Sequence, residues 1–275
     1  MLMKVLRFTC VLLAEASMRG LLCLVLLAVC LFNSIAWADN SQFTGYAYDL
    51  RSGELCYQEQ HFRRLDEQGQ QQIYTRYIDP QNKVIAKRTV SYDGDQVVEF
   101  VLQDQRSQQI VSAIRSTDKV VVQKKALLSA AGDAHAQETL KTTTLKLKPS
   151  FNNVIDAGFN SYLLSNWQRL VSGEVLSFNF LSTERASWIK FRLKDGGLRE
   201  EDGYPVRRFV MTVTNPMFRL LLKPIKVDYY ADTKELFRYQ GISNIKRENG
   251  KNYNVRIEFP RSGYQVTQLN AAKPQ

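Results

Sequence analysis

Residues 153–172 read NVIDAGFNSYLLSNWQRLVS, the one stretch of the chain with a sustained helical period. Ile155, Phe159, Tyr162, Leu163, Trp167 and Leu170 recur at spacings of three and four, which makes one broad apolar face. Asn152 or Asn153 offers an N-cap, Asp156 suits the first turn, and Arg169 and Gly173 mark the end. The pattern predicts a single long helix over 153–172. Two roles for it stay open. It closes one end of a β structure as ordinary core, or it lines an apolar cavity in which Asn166 and Asp156 are the few polar groups that orient a ligand.

On both sides of this stretch the chain reads as short strands separated by turn chemistry. Gly45–Leu50, Glu54–Arg64, Gln72–Ile78, Val84–Tyr92, Val97–Leu102, Ile110–Ile114 and Val120–Lys124 form a meander broken at Ser52-Gly53, Gln68-Gly69, Asp79-Pro80 and Asp93-Gly94. Residues 129–137 (SAAGDAHAQ) have no period and read as a mobile loop, and Glu138–Lys148 resumes the alternation. Beyond the helix come Glu174–Ser182, Ser187–Asp195, Val206–Thr214, Ile225–Tyr230, Leu236–Ile242 and Asn252–Phe259. In Ser187–Asp195 the residues Ile189, Phe191 and Leu193 face one way and Lys190, Arg192 and Lys194 the other, a half-buried strand with a basic outer face. So many strands do not lie flat. The expected fold is mainly β, a large, strongly curled antiparallel sheet or incomplete β-barrel closed by one long α-helix.

The ends divide the chain further. Gly20–Phe32 is an apolar run too short to span a bilayer comfortably; Arg19 precedes it and Ala36-Trp37-Ala38 follows it. Residues 1–38 therefore read as a signal peptide cleaved between Ala38 and Asp39, with an uncleaved anchor as the alternative. Met18 is a second candidate start, since Met18–Ala38 is a complete leader by itself. Residues 39–260 are expected to form one β-rich domain, and 261–275 a flexible tail. Losing Lys4, Arg7, Arg19 and Glu15 with the leader lowers the net charge from +10 to +8. In an exported protein this excess points away from nucleic acid and towards anionic lipid headgroups or other anionic envelope components, with peripheral membrane contact; plain solubility of scattered basic residues is the alternative. Of the four cysteines only Cys56 lies outside the leader, so no internal disulfide is expected and Cys56 reads as a small buried hydrophobe.

The chain carries no paired-histidine zinc motif, nucleophile elbow, phosphate-cradling glycine loop or Cys-x-x-Cys. No cofactor and no metal is expected. His61 stands beside Arg63 and Arg64, a poor setting for a cation, and Glu200-Glu201-Asp202 before Gly203 reads as a solvated turn. More informative are the 14 Phe, 13 Tyr and 3 Trp, spread along alternating strand faces in numbers that fill a core or line a cavity. The apolar hexamer Met217–Leu222 reads as a core plug or as an exposed rim for lipid.

The segments Tyr77-Ile78-Asp79-Pro80, Asp156-Ala157-Gly158-Phe159, Asn166-Trp167 and Phe237–Ile245 resemble those of an exported Gram-negative protein family of unknown function, over nearly all of the mature chain. In architecture the pattern is also similar to the lipoprotein-carrier and related periplasmic lipid-binding families, whose curled antiparallel sheet wraps helices and an apolar cavity. That likeness implies an architecture and not a residue motif. The function expected from these readings is a periplasmic, non-enzymatic binding protein for an amphiphilic ligand, a lipid or lipid-linked envelope component. Phe159, Leu163, Asn166, Trp167, Leu170, Met217, Phe218 and Leu221 are the candidate ligand-binding residues. The rival expectation is a structural or interaction module of the cell envelope with a solid core and no ligand.

Overall fold

The computed structural model describes residues 41–66, 69–127, 141–147, 152–217 and 223–261. The leader, the loop at 129–137, the candidates Phe218 and Leu221, and the tail from 262 onward lie outside the described residues.

Among the described residues fifteen strands form one sheet. In chain order they are β1 (Ser41–Asp49), β2 (Leu55–Leu65), β3 (Gln71–Ile78), β4 (Val84–Asp93), β5 (Gln96–Asp104), β6 (Gln109–Arg115), β7 (Lys119–Ala126), β8 (Lys141–Lys146), β9 (Asn152–Ile155), β10 (Leu176–Ser182), β11 (Ser187–Glu201), β12 (Tyr204–Val213), β13 (Ile225–Tyr230), β14 (Leu236–Lys246) and β15 (Asn252–Glu258). The spatial order runs from β8 down to β1, then β15 down to β9, so the two ends of the described chain pair with each other in the middle of the sheet. Among the described residues the ladder is not closed, and β8 and β9 are its two edges. Side chains nevertheless bridge that end of the sheet. Trp188 Nε1 on β11 donates to the Lys146 carbonyl of β8 at 3.2 Å, and Arg115 Nη1 on β6 donates to the Asn153 carbonyl of β9 at 3.2 Å. A sheet this wide curls, because each strand is twisted relative to its neighbour, and the curl gives it a concave inner face.

The long helix expected over 153–172 is not there. Residues 152–155 form strand β9, residues 156–157 a turn, and the helical part is split into α1 (Gly158–Ser165) and α2 (Trp167–Val171). Two physical causes account for the difference. First, Val154 and Ile155 are adjacent β-branched residues, and Asn152–Ile155 pairs in parallel with Phe178–Leu181 of β10. A parallel pair needs a long crossover, and α1 and α2 are that crossover. Second, Asn166 breaks the helix. Its side-chain Nδ2 donates to the Tyr162 carbonyl at 2.8 Å, the acceptor its own backbone N–H would take in a continuous helix, and the backbone N–H turns instead to the Leu163 carbonyl at 3.1 Å.

The helices pack where the curl needs filling. Leu163, Trp167 and Leu170 are buried against Phe178, Phe191, Phe209 and Tyr229 of β10–β13, with the Trp167 ring edge-on to Phe209 and Tyr229 at 4.9 and 5.8 Å. A second cluster fills the inner face of β1–β7 around Tyr57, Tyr77, Phe100 and Val122. Gly158 sets the approach of α1 to β5: a side chain there would meet Val97 Cγ2 at 3.0 Å. On the outer face a row of alternating charge crosses the sheet. Arg208, Asp228, Arg238 and Glu258 occupy paired positions on β12–β15, and Arg208 holds Asp228 through two bonds of 2.7 Å. Glu201 and Asp202 join this row by pairing with Arg208 and Arg238, so two of the three acidic residues read as a solvated turn are part of an ion network, and Glu200 and Glu201 belong to β11.

Leu163 has no exposed surface and sits among aromatic rings. Leu163→Ala should lower the free energy of unfolding by about 2–5 kcal/mol in equilibrium urea denaturation, the range for a buried leucine whose cavity cannot collapse. A loss below about 1 kcal/mol would mean that α1 is not packed as described.

Candidate functional site

Between α1 and the concave face of the sheet lies a cavity of about 820 Å³. Its walls differ in chemistry. Phe159 and Leu164 of α1, Phe180, Phe191 and Met211 of β10–β12, and Ile225 and Val227 of β13 are apolar. Glu59, His61 and Arg88 on β2 and β4, Asp156 in the turn before α1, and Ser243 and Asn244 on β14 bring polar groups. Arg63, Asn160, Lys234 and Glu235 also line it and are exposed, so they mark where the cavity meets solvent.

Strand alternation explains how the polar residues come to face inward. On β2 the odd-numbered residues Tyr57, Glu59, His61 and Arg63 share one face. His61 is paired across the ladder with Thr75 on β3, and Thr75 with Arg88 on β4, so the three form a row along the hydrogen-bonding direction. Phe43, paired with His61 from β1, stacks on its ring at 4.3 Å with planes 14° apart.

The row is hydrogen-bonded end to end. Arg88 Nη1 donates to Asp156 Oδ2 at 3.1 Å and Nη2 donates to Thr75 Oγ1 at 3.3 Å. Thr75 Oγ1 lies 3.1 Å from His61 Nδ1, and to a neutral ring that carries its hydrogen on Nε2, facing the acceptor-only Glu59 carboxylate, it donates its proton. The imidazole hydrogen then sits on Nε2 and points to Glu59 Oε2 at 3.2 Å. This tautomer, inferred from the network, is neutral. Burial, the largest influence, also pushes the His61 pKa below the usual imidazole value; the Glu59 hydrogen bond and charge pull it up, and Arg88 adds to the depression. The 3.2 Å contact between His61 and Glu59 is therefore a hydrogen bond from a neutral ring rather than an ion pair.

Asp156 closes the network. Its Oδ2 takes Arg88 and its Oδ1 takes Asn244 Nδ2 from β14, so one carboxylate ties β4 to β14 through the turn between β9 and α1. Its φ is +40°, a left-handed conformation costly for a residue with a side chain, and these two partners hold it there. Nearby, the Tyr57 and Ser243 hydroxyls are 2.6 Å apart, and burial pushes the Tyr57 phenol well above its ordinary pKa.

The order Thr75, His61, Glu59 is that of a nucleophile, base and orienting acid, but Thr75 has no exposed surface and its oxygen already accepts from Arg88. The hydroxyl is sealed from the cavity. Among the described residues no group of three or more His, Cys, Asp or Glu side chains is placed to hold a metal ion, and no helix is long and apolar enough to cross a membrane.

The sequence candidates are dispersed. Phe159 lines the cavity, stacked obliquely on Phe178 at 5.8 Å. Leu163, Trp167 and Leu170 lie behind that wall in the packed core. Asn166 bonds the Tyr162 carbonyl and receives Arg169 Nη1 at 2.8 Å, so its polar groups are spent within the helices. Met217 is 77% exposed and away from the cavity. Asp156 does reach the cavity, from the turn and not from a helix. Glu59, His61 and Arg88 were not among the candidates for this site. The signal was present in the alternation of β2, where a tyrosine, a carboxylate, a histidine and an arginine share one face.

No protein-family model matches the chain. No curated protein matches it. Among solved structures it is similar to a beta-barrel-like protein of a domain of unknown function from Brucella abortus, at 8% sequence identity and a TM-score of 0.38, over 80% of this chain and 94% of that one. A likeness that distant carries no argument.

The protonation state of His61 can be tested by its linkage to folding. An unfolded histidine takes up its proton near pH ~6.5, whereas the folded His61 does so only at lower pH. Between those two values the unfolded state binds more protons, so stability should fall as pH is lowered below about 6.5 and level off beneath the folded pKa. His61→Gln should remove this step in urea denaturation profiles. Stability that rises on acidification across the same window would mean a charged imidazole paired with Glu59.

Proposed function

We propose that this protein is a non-enzymatic, periplasmic binding protein for an amphiphilic ligand, a lipid or lipid-linked envelope component held inside the curled sheet. The observation that carries the reading is the cavity of about 820 Å³ with apolar walls and one polar patch. Ligand pockets commonly measure about 300–1,000 Å³ and combine an apolar lining with a few convergent polar groups. The apolar body of the ligand lies against Phe159, Phe180, Met211 and Val227, and a polar group reaches the patch on β2 and β4. A solid-core envelope module has no use for such a space, which weighs against the rival reading.

Export rests on the leader pattern of residues 1–38, which places the protein beside membranes whose lipids are the natural ligands. The outward residues Lys190, Arg192 and Lys194 of β11 are exposed and in line, suited to peripheral contact with anionic headgroups. Loading from a membrane surface then needs no membrane-spanning segment.

Purified protein should bind the uncharged fluorophore N-phenyl-1-naphthylamine saturably, and native mass spectrometry should find lipid carried through purification. Ile225 is half-buried on the cavity wall, so Ile225→Trp fills the space from its edge. It should weaken the fluorophore by about tenfold or more, at a stability cost of about 1–3 kcal/mol for overpacking. Clean apo mass together with no saturable fluorescence would sink the proposal.

A further inference from the structure

We propose that Glu59 receives a cationic group, a primary ammonium at the polar end of the ligand. This rests on the reading that the cavity holds an amphiphile, and it names the headgroup chemistry.

The inference follows from a charge inventory of the buried wall. Asp156 has both oxygens engaged, by Arg88 and Asn244. Arg88 spends its two terminal nitrogens on Asp156 and Thr75. His61 is buried, which favours its neutral ring. Glu59 feels the Arg88 charge only through space and is left without a Lys or Arg ion-pair partner of its own among the described residues. It is 8% exposed, its Oε2 accepts one bond from the neutral His61, and its Oε1 has no hydrogen-bond partner among the described residues. No Lys or Arg among them forms an ion pair with it. Two carboxylates and one guanidinium leave the wall one negative charge in excess, and a buried carboxylate is tolerated only when something compensates it.

The surroundings favour a cation as the compensating group. Phe43, the His61 ring and Phe259 form a contiguous set of ring faces and edges, with centroids 4.3 Å apart for Phe43 and His61 and 5.9 Å for Phe43 and Phe259. Phe43 and Phe259 line the cavity alongside Glu59. Ring faces carry partial negative charge and attract ammonium groups. An anionic headgroup at the same place would meet Glu59 unscreened. Such a group is served better at the mouth, where Arg63 and Lys234 stand in solvent.

The test compares three ligands of equal chain length, dodecylamine, 1-dodecanol and dodecanoate, as competitors of N-phenyl-1-naphthylamine on the purified protein. Dodecylamine should bind about tenfold or more tighter than dodecanol, with dodecanoate weakest, as a charge-assisted bond to a buried carboxylate implies. Glu59→Gln keeps an acceptor for His61 and should bring the amine to within about twofold of the alcohol while leaving the alcohol unchanged. Lysophosphatidylethanolamine competing better than lysophosphatidylglycerol would support the ammonium of a lipid headgroup. Dodecylamine alone competing well would support a free amine. Equal binding of amine and alcohol by the wild type overturns the Glu59 assignment and leaves the cavity reading intact, and this ranking does not depend on any variant folding. An amine preference that survives in Glu59→Gln overturns it too. Failure of every competitor and of the fluorophore overturns the cavity reading, and this one with it.

Discussion

Arg88 reaches from β4 to the turn after β9 and closes an ion pair with Asp156 at 3.1 Å, with both side chains largely out of solvent. Removing one partner of such a pair typically costs about 3–5 kcal/mol, because the other is left buried and charged. A non-glycine residue in the left-handed region costs about 1–3 kcal/mol. The pair and the Asn244 bond together hold the turn in a shape the backbone alone would not choose. That turn aims β9 along β10 and α1 into the sheet, and through Asn244 it is also anchored to β14. One carboxylate thus meets residues from strands that are distant in sequence and on different arms of the sheet.

The same network gives the cavity its polarity. A curled sheet with apolar residues at every inward position would collapse onto its helices. Here Glu59, His61 and Arg88 occupy successive inward places on β2–β4, and each needs a hydrogen-bond partner that a collapsed apolar core does not provide. Thr75 is the hinge of the arrangement, since its single hydroxyl bonds both Arg88 and His61. The chemistry of the wall follows from the strand register, because His61, Thr75 and Arg88 are cross-strand partners before they are a network.

Most of the sheet was legible because alternation and turn residues are local. The exception is β9. Its residues Val154 and Ile155 fall in phase with Phe159, Tyr162 and Leu163 on a helical wheel, so the periodicity runs straight through the boundary. What makes 152–155 a strand is β10, a parallel partner more than twenty residues later, and no local pattern encodes that pairing. The break at Asn166 was equally hidden, since an asparagine inside an apolar arc reads as a ligand-facing group until its amide is seen on the Tyr162 carbonyl. His61 was set aside because Arg63 and Arg64 follow it. Alternation puts Arg64 on the opposite face and leaves Arg63 at the exposed end of the inner one. Which face of β2 is the inner one is not written in the strand, where Tyr57 on one side and Cys56 and Phe62 on the other are all buried.

The broken helix and the cavity have a common cause. A continuous helix over 153–172 would be about 30 Å long at 1.5 Å per residue, enough to cross the interior of the curl, whereas the eight residues of α1 extend about 12 Å. The remaining residues are spent on β9, on the Asp156 turn and on α2, which packs with β11 and β12 through Trp167 and Leu170. The interior beside β13–β15 is therefore left for Ile225, Tyr239 and Ile257 to line without filling. Restoring the helix would require Asp156 to leave its left-handed conformation, and with it Arg88 and Asn244 would lose their partner. The polar contact that shapes the turn is in this way also what keeps the interior open, so the cavity and the Arg88–Asp156 pair stand or fall together.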